Sequence, residues 1–105
     1  MNTHIIILTT LPDEVVARSL AQELIKSQMA ACINIMPCMS SIYSWKGKIE
    51  EGQEHLLMIK TRTERYAAIE QAIRAQHPYE LPEIIATPIS HGLPEYMNWI
   101  DENSQ

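Results

Sequence analysis

Glycine is scarce in this chain, with three residues in 105, so there is no glycine-rich loop to cradle a phosphate. Cysteine is nearly absent. Cys32 and Cys38 cannot make a disulfide framework and lack the C-x-x-C spacing of a metal or redox motif. They read as free thiols of a reducing compartment, one or both serving as small buried hydrophobes. Basic residues are outnumbered, 8 against 13 acidic, for a formal net charge of −5. The positive side chains are scattered, with a mild group at Lys60, Arg62 and Arg65. That distribution excludes a basic stripe for nucleic acid and disfavours anionic membrane surfaces. No apolar run reaches the roughly 18 residues of a membrane-crossing helix. The N-terminus also lacks the basic start, apolar middle and small-residue cleavage site of a signal peptide, so the cytoplasm is the expected compartment. Neither repeats nor linkers interrupt the chain. A single domain over residues 1–105, with a modest core, is expected.

What is present is a clear alternation of elements. His4 to Thr10 is apolar and β-branched on both faces, which predicts a central strand. Pro12-Asp13-Glu14 opens a helix whose apolar stripe is Val15, Val16, Leu20, Leu24 and Ile25. Ala31 to Met36 is a second strand, interrupted or bulged by Pro37. Ser41 to Trp45 and Lys48 to Glu51 predict a hairpin with Gly47 at the positive-φ position and with Tyr43 and Trp45 on one face. His55 to Thr61 is a further strand. Thr61 or Thr63 is placed to cap the next helix, Thr61 having capping-box spacing to Glu64, and Tyr66, Ile69, Ala72 and Ile73 form its stripe. Ile84 to Ile89 is a last strand, which Pro88 marks as an edge or a bend. Pro94 starts a short helix docked by Met97 and Ile100, and residues 103–105 are expected to fray. The order β-α-β-β-α-β with a final helix is the ferredoxin-like, split βαβ pattern of an α+β domain. Two helices on one sheet face leave the other bare. The strands are too apolar for a bare face in water, which points to association.

The densest chemistry lies in His77-Pro78-Tyr79-Glu80-Leu81-Pro82-Glu83. Two prolines hold His77 and Leu81 extended and stiffen the connection. It reads either as a rigid helix-to-strand joint with solvated side chains or as a functional loop. The metal-ligating candidates are His77, His91, Cys32, Cys38, Glu80 and Glu83. They lack the paired spacing along a helix that marks a dedicated site. Soft thiolate and imidazole ligands would favour copper or zinc over magnesium. Ser90 and His91 are adjacent, but adjacency does not aim a hydroxyl at a ring, no Gly-x-Ser-x-Gly turn exists, and an enzyme is not expected. His91 reads as a loop histidine bonded to backbone. A ligand pocket is easier to build. Trp45, Tyr79 and Glu83 supply amphipathic walls and a carboxylate, and Lys60 an ammonium for an anion, an arrangement often found between subunits. For Trp45 the competing reading is an interface anchor.

Six segments together resemble one family. They are Leu8-Thr9-Thr10-Leu11-Pro12-Asp13-Glu14, Ala30 to Ile35, Tyr43 to Glu50, Leu57 to Thr61, His77 to Ile84, and Gly92 with Tyr96 and Trp99. In this order, over nearly the whole chain, they are similar to the CutA divalent-cation tolerance family. The resemblance implies a ferredoxin-like protomer in a tight homotrimer, with an architecture like that of the PII signalling proteins, and an association with copper tolerance. Proposed copper ligands in some bacterial members are a Cys near the end of the first strand and a His-His pair before Pro-Tyr. Here Thr9 and Gln76 stand at two of those positions, leaving His77. Weak binding of copper or another divalent metal is therefore expected, through His77 helped by His91 or a carboxylate, with no required cofactor. The rival is a PII-like trimer that binds a small anionic ligand between subunits through Lys60, Trp45, Tyr79 and Glu83.

Overall fold

The computed structural model describes residues 3–105. Its elements are β1 (His4–Leu11), α1 (Glu14–Lys26), β2 (Cys32–Trp45), β3 (Lys48–Arg62), a 3-10 turn (Thr63–Arg65), α2 (Tyr66–Gln76), β4 (Ile84–Pro88) and α3 (Pro94–Glu102). The strands form one antiparallel sheet in the order β2-β3-β1-β4. This is the ferredoxin-like α+β arrangement expected from the element order, with β1 central and the Pro88-bearing β4 at an edge.

Alternation along the strands sorts the sheet into two faces. Ile5, Ile7 and Leu11 of β1 share one face with Leu57 and Ile59 of β3, and Ile33, Ile35 and Ile84 pack beside them. Against that face lie Ala17, Leu20, Ala21 and Leu24 of α1 and Ile69 and Ile73 of α2, forming the core. Asp13 caps α1, its carboxylate accepting from the Val15 amide at 2.7 Å. The opposite face carries Ile6, Leu8 and Thr10 of β1, Leu56 and Met58 of β3, Met36 of β2 and Ile85 of β4. There α3 covers one end: His4 pairs with Asp101 at 2.8 Å, and Lys60 Nζ lies 5.9 Å from the Tyr96 ring centroid. The rest of this apolar face is open, with Met36 and Ile85 exposed.

Three local expectations are corrected. The two short strands on each side of the hairpin are in fact continuous: β2 runs 14 residues and β3 15, with a register shift between Met36 and Met39. Pro37 sits inside that bulge, which spares the ladder an amide that proline lacks. Thr61 caps nothing. It is buried and its hydroxyl donates to the Met29 carbonyl at 2.6 Å, so the chain enters α2 through the 3-10 turn instead. Residues 103–105 are not loose throughout. Ser104 is buried, and its carbonyl accepts from Arg62 Nε at 3.1 Å, Arg62 Nη2 at 2.9 Å and Arg65 Nε at 3.1 Å.

The β2–β3 ribbon continues past Leu11↔His55, where β1 ends, to the Trp45↔Lys48 pair. Lys46 (φ 52°) and Gly47 (φ 79°) make the tip, the two positive φ values of a type I′ turn. No helix covers this arm, and Ile42 (70%) and Ile49 (83%) are exposed. The radius of gyration is 14.2 Å, against about 13 Å for a compact chain of this length.

Candidate functional site

The stiff loop after α2 organises the site. His77 closes α2, its amide donating to the Ile73 carbonyl at 2.9 Å, and its ψ of 133° is the extended value that Pro78 enforces. Its ring is then fixed at both nitrogens. Nε2 lies 2.6 Å from the Thr10 carbonyl, which can only accept, so this nitrogen carries the proton. Nδ1 accepts from the Tyr79 amide at 3.1 Å. The His77 and Tyr79 rings lie 4.8 Å apart, tilted by 50°. Tyr79 in turn donates its phenol proton to Glu54 Oε2 at 2.9 Å, tying the loop to β3. Desolvation, helped by the Glu54 carboxylate that accepts its proton and by the charge of that carboxylate, pushes the Tyr79 phenol up to about 12.

Between this loop and the ribbon, from Glu54 near its base to Trp45 beside its tip, lies a cavity of 710 Å³. Its walls include Tyr43 and Trp45 from β2, Glu54 from β3, and Tyr79, Glu80 and Glu83 from the loop. Tyr43 and Trp45 share a ribbon face, opposite Glu50 and Lys48. The structure thus brings Trp45, Tyr79 and Glu83 together. Lys60 does not join them. It lies six residues beyond Glu54 along β3, about 20 Å in an extended strand, and faces Tyr96 of α3. Among the described residues, the cavity wall has no basic side chain to take its place. Sequence reading missed Glu54 and Tyr43. The signal for Glu54 was its place in the alternation with Leu56 and Met58, which puts a carboxylate in line with apolar neighbours.

His77 and His91 are not brought together. His77 bonds Thr10 at one end of β1, whereas Ile89, two residues before His91, bonds the His4 carbonyl at the other end. Six residues of strand, about 20 Å, separate these points. His91 bonds the Ser90 hydroxyl at 3.1 Å and not backbone, which corrects both readings of that dipeptide. Both residues are exposed, and no acceptor orients the other His91 nitrogen among the described residues. Thr9 is fully buried with its hydroxyl unpartnered, and the Gln76 amide donates to Glu23. Cys38 Sγ donates to Gln53 Oε1 at 3.0 Å on the exposed ribbon edge, and Cys32 lies near Asn34 at 4.0 Å. Among the described residues no three His, Cys, Asp or Glu side chains converge as a metal site, and no helix is long and apolar enough to cross a membrane.

A sequence profile described as "CutA1 divalent ion tolerance protein" matches residues 5–103. The chain is 44% identical to the divalent-cation tolerance protein CutA of Thermus thermophilus, over 94% of this chain and 96% of that one. It is 45% identical to the protein CutA homolog of Xenopus laevis, over 89% of this chain, and spans only 62% of that longer relative. The solved structure of the Thermus thermophilus protein superposes with a TM-score of 0.94 at 43% identity, over 97% of this chain and 99% of that one. The backbone fold is therefore shared with that structure, and the chain belongs to the CutA1 divalent ion tolerance protein family.

Proposed function

We propose that this chain is a non-enzymatic homotrimer of the cytoplasm that acts in tolerance to divalent metal cations. Family membership supports the role in tolerance. The observation that carries the assembly is the open sheet face. Ile6, Leu8, Leu56, Met58, Met36 and Ile85 lie side by side on it, with an uncovered ribbon beyond. The accessible surface is 6,708 Å² for 12.0 kDa, where a compact monomer of that mass exposes about 6,000 Å². A further copy covering that face would remove the excess. The two free cysteines fit a reducing compartment.

Metal binding by this protein is weak in the proposed reading. His77 is the one imaginable ligand of the family pattern, and its Nδ1 lone pair is already engaged by the Tyr79 amide. A copper ion there must displace that hydrogen bond, at a cost of about 1 kcal/mol, and among the described residues no group of three His, Cys, Asp or Glu is in place to hold it. Two experiments test the reading. In cells lacking the gene, the wild-type chain should restore growth at raised copper, and Ile85→Glu, which places a charge on the open face, should not. Calorimetric titration should show weak copper binding that disappears in His77→Ala. Restoration by an unassembled protein, or tight binding that survives His77→Ala, would count against it.

A further inference from the structure

Helix α3 has little apolar hold on the sheet. Of Pro94–Glu102, Ile100 alone is fully buried, and the other side chains are half-buried or exposed. By contrast α1 buries Ala17, Leu20, Ala21 and Leu24, and α2 buries Ile69 and Ile73. Met97 packs over Gly92 of the connecting loop, where an added Cβ would stand 2.6 Å from Met97 Cε. That loop, residues 90–93, is exposed throughout. An element with so little buried apolar surface opens locally at a lower free energy than the core.

Polar contacts supply the rest of the attachment, and most lie beyond the last turn of α3. Ser104 is fully buried, and three N–H groups of two guanidiniums converge on its carbonyl. They are Arg62 Nε at 3.1 Å, Arg62 Nη2 at 2.9 Å and Arg65 Nε at 3.1 Å. Such bonds from a charged donor are roughly twice as strong as neutral ones. The Ser104 hydroxyl donates to the Ile100 carbonyl, and the Asn103 side-chain amide donates to the Trp99 carbonyl at 2.9 Å. These close the free carbonyls of the helix end. Arg62 ends β3 and Arg65 lies in the 3-10 turn, so the clamp ties α3 to the end of the sheet and to the entry of α2. His4 adds one contact, its Nε2 2.8 Å from Asp101 Oδ1. We infer that α3 is a strap across one end of the open sheet face, hinged at residues 90–93 and held shut by Arg62 and Arg65 on the Ser104 carbonyl. When the clamp releases, α3 lifts as a unit, Lys60 loses the Tyr96 ring, and that end of the face is uncovered. Every contact of the clamp lies within one chain, so the inference does not rest on the trimer.

Amide hydrogen exchange of the full chain, read by mass spectrometry at neutral pH, tests it. The amides of residues 97–102 should exchange faster than those of β1 and α1. Arg62→Met/Arg65→Met keeps much of the aliphatic stems and removes the donors, and also frees the exposed Glu64 from Arg62. In that variant exchange over residues 97–102 should rise about tenfold or more, since the loss of one charged hydrogen bond already gives that factor. Exchange in β1 and α1 should change by less than about twofold. Circular dichroism checks the fold. Should the double variant unfold, Arg65→Met alone decides, with a several-fold rise confined to residues 97–102. Wild-type α3 amides as protected as those of β1 would overturn the proposal, including where another copy pins the helix. So would unchanged exchange in the variants, or a rise shared equally by β1, which would make the arginines supports of the whole fold.

Discussion

At the scale of single residues, two side chains carry free-energy consequences that can be measured. Thr9 places a hydroxyl in the apolar core, fully buried and without a partner among the described residues. Valine has the same shape without the polar atom, so Thr9→Val should stabilise the fold by about 1 kcal/mol in denaturant unfolding. Tyr79 sets a pH dependence. Its phenol is raised from 10.0 to about 12, by desolvation first and by Glu54 second. A folded value above the unfolded one means that the native state holds the proton more tightly. The stabilisation is therefore complete below pH 10 and is lost as pH climbs from 10 toward 12. Stability against pH should fall across that window, and Tyr79→Phe should flatten the fall; an unchanged slope would refute the assignment. The sequence exposed the stiff loop because proline acts locally. It could not show that His77 reaches Thr10 or that Tyr79 reaches Glu54, since those contacts join residues 67 and 25 positions apart.

At the scale of elements, the strands and helices were legible wherever periodicity was long. The core stripes of β1 and α2 follow from the apolar spacing, but in α1 only Leu20 and Leu24 of the expected stripe are buried: Val15 (75%) and Ile25 (40%) are exposed, and Ala17 and Ala21 face the core in their place. The rest of what failed was punctuation. Of the break or bulge that Pro37 allowed, the structure has the bulge, but the strands expected to end on either side of it run on as one. Thr61 had the spacing of a cap, but its side chain faces the core and serves the loop after α1. The C-terminal polar residues looked loose because two arginines on β3 and the turn after it, which hold Ser104, are distant in sequence. The ribbon tip was read correctly from Gly47, because a hairpin turn is a local event. Gly47→Ala should cost about 1 kcal/mol from its positive φ alone, since an added Cβ would meet nothing within 4 Å. Gly52→Ala, in open space without a positive φ, should be close to neutral, and thermal unfolding of the two variants checks the contrast.

At the scale of the whole molecule, the protomer looks like part of something larger. A two-stranded ribbon is marginal on its own, yet this one extends well past the end of β1 and presents Ile42, Ile49 and Trp45 to solvent. The adjoining sheet face is apolar and only partly covered by α3. Obligate interfaces often bury more than about 2,000 Å², and face and ribbon together offer a surface of that kind. Truncating an aromatic anchor at such an interface costs roughly 2–4 kcal/mol, so Trp45→Ala should make thermal unfolding earlier and more dependent on concentration. Ile85→Glu separates assembly from folding. Ile85 is 55% exposed in the protomer, so a charge is tolerated there, but it would be buried if a second copy covered the face. The most direct measurement is the mass of the purified protein by light scattering after gel filtration at micromolar concentration. The account predicts three times the 12.0 kDa chain mass for the wild type and a loss of that species in Ile85→Glu. A wild-type protein that runs as a 12.0 kDa monomer would contradict it.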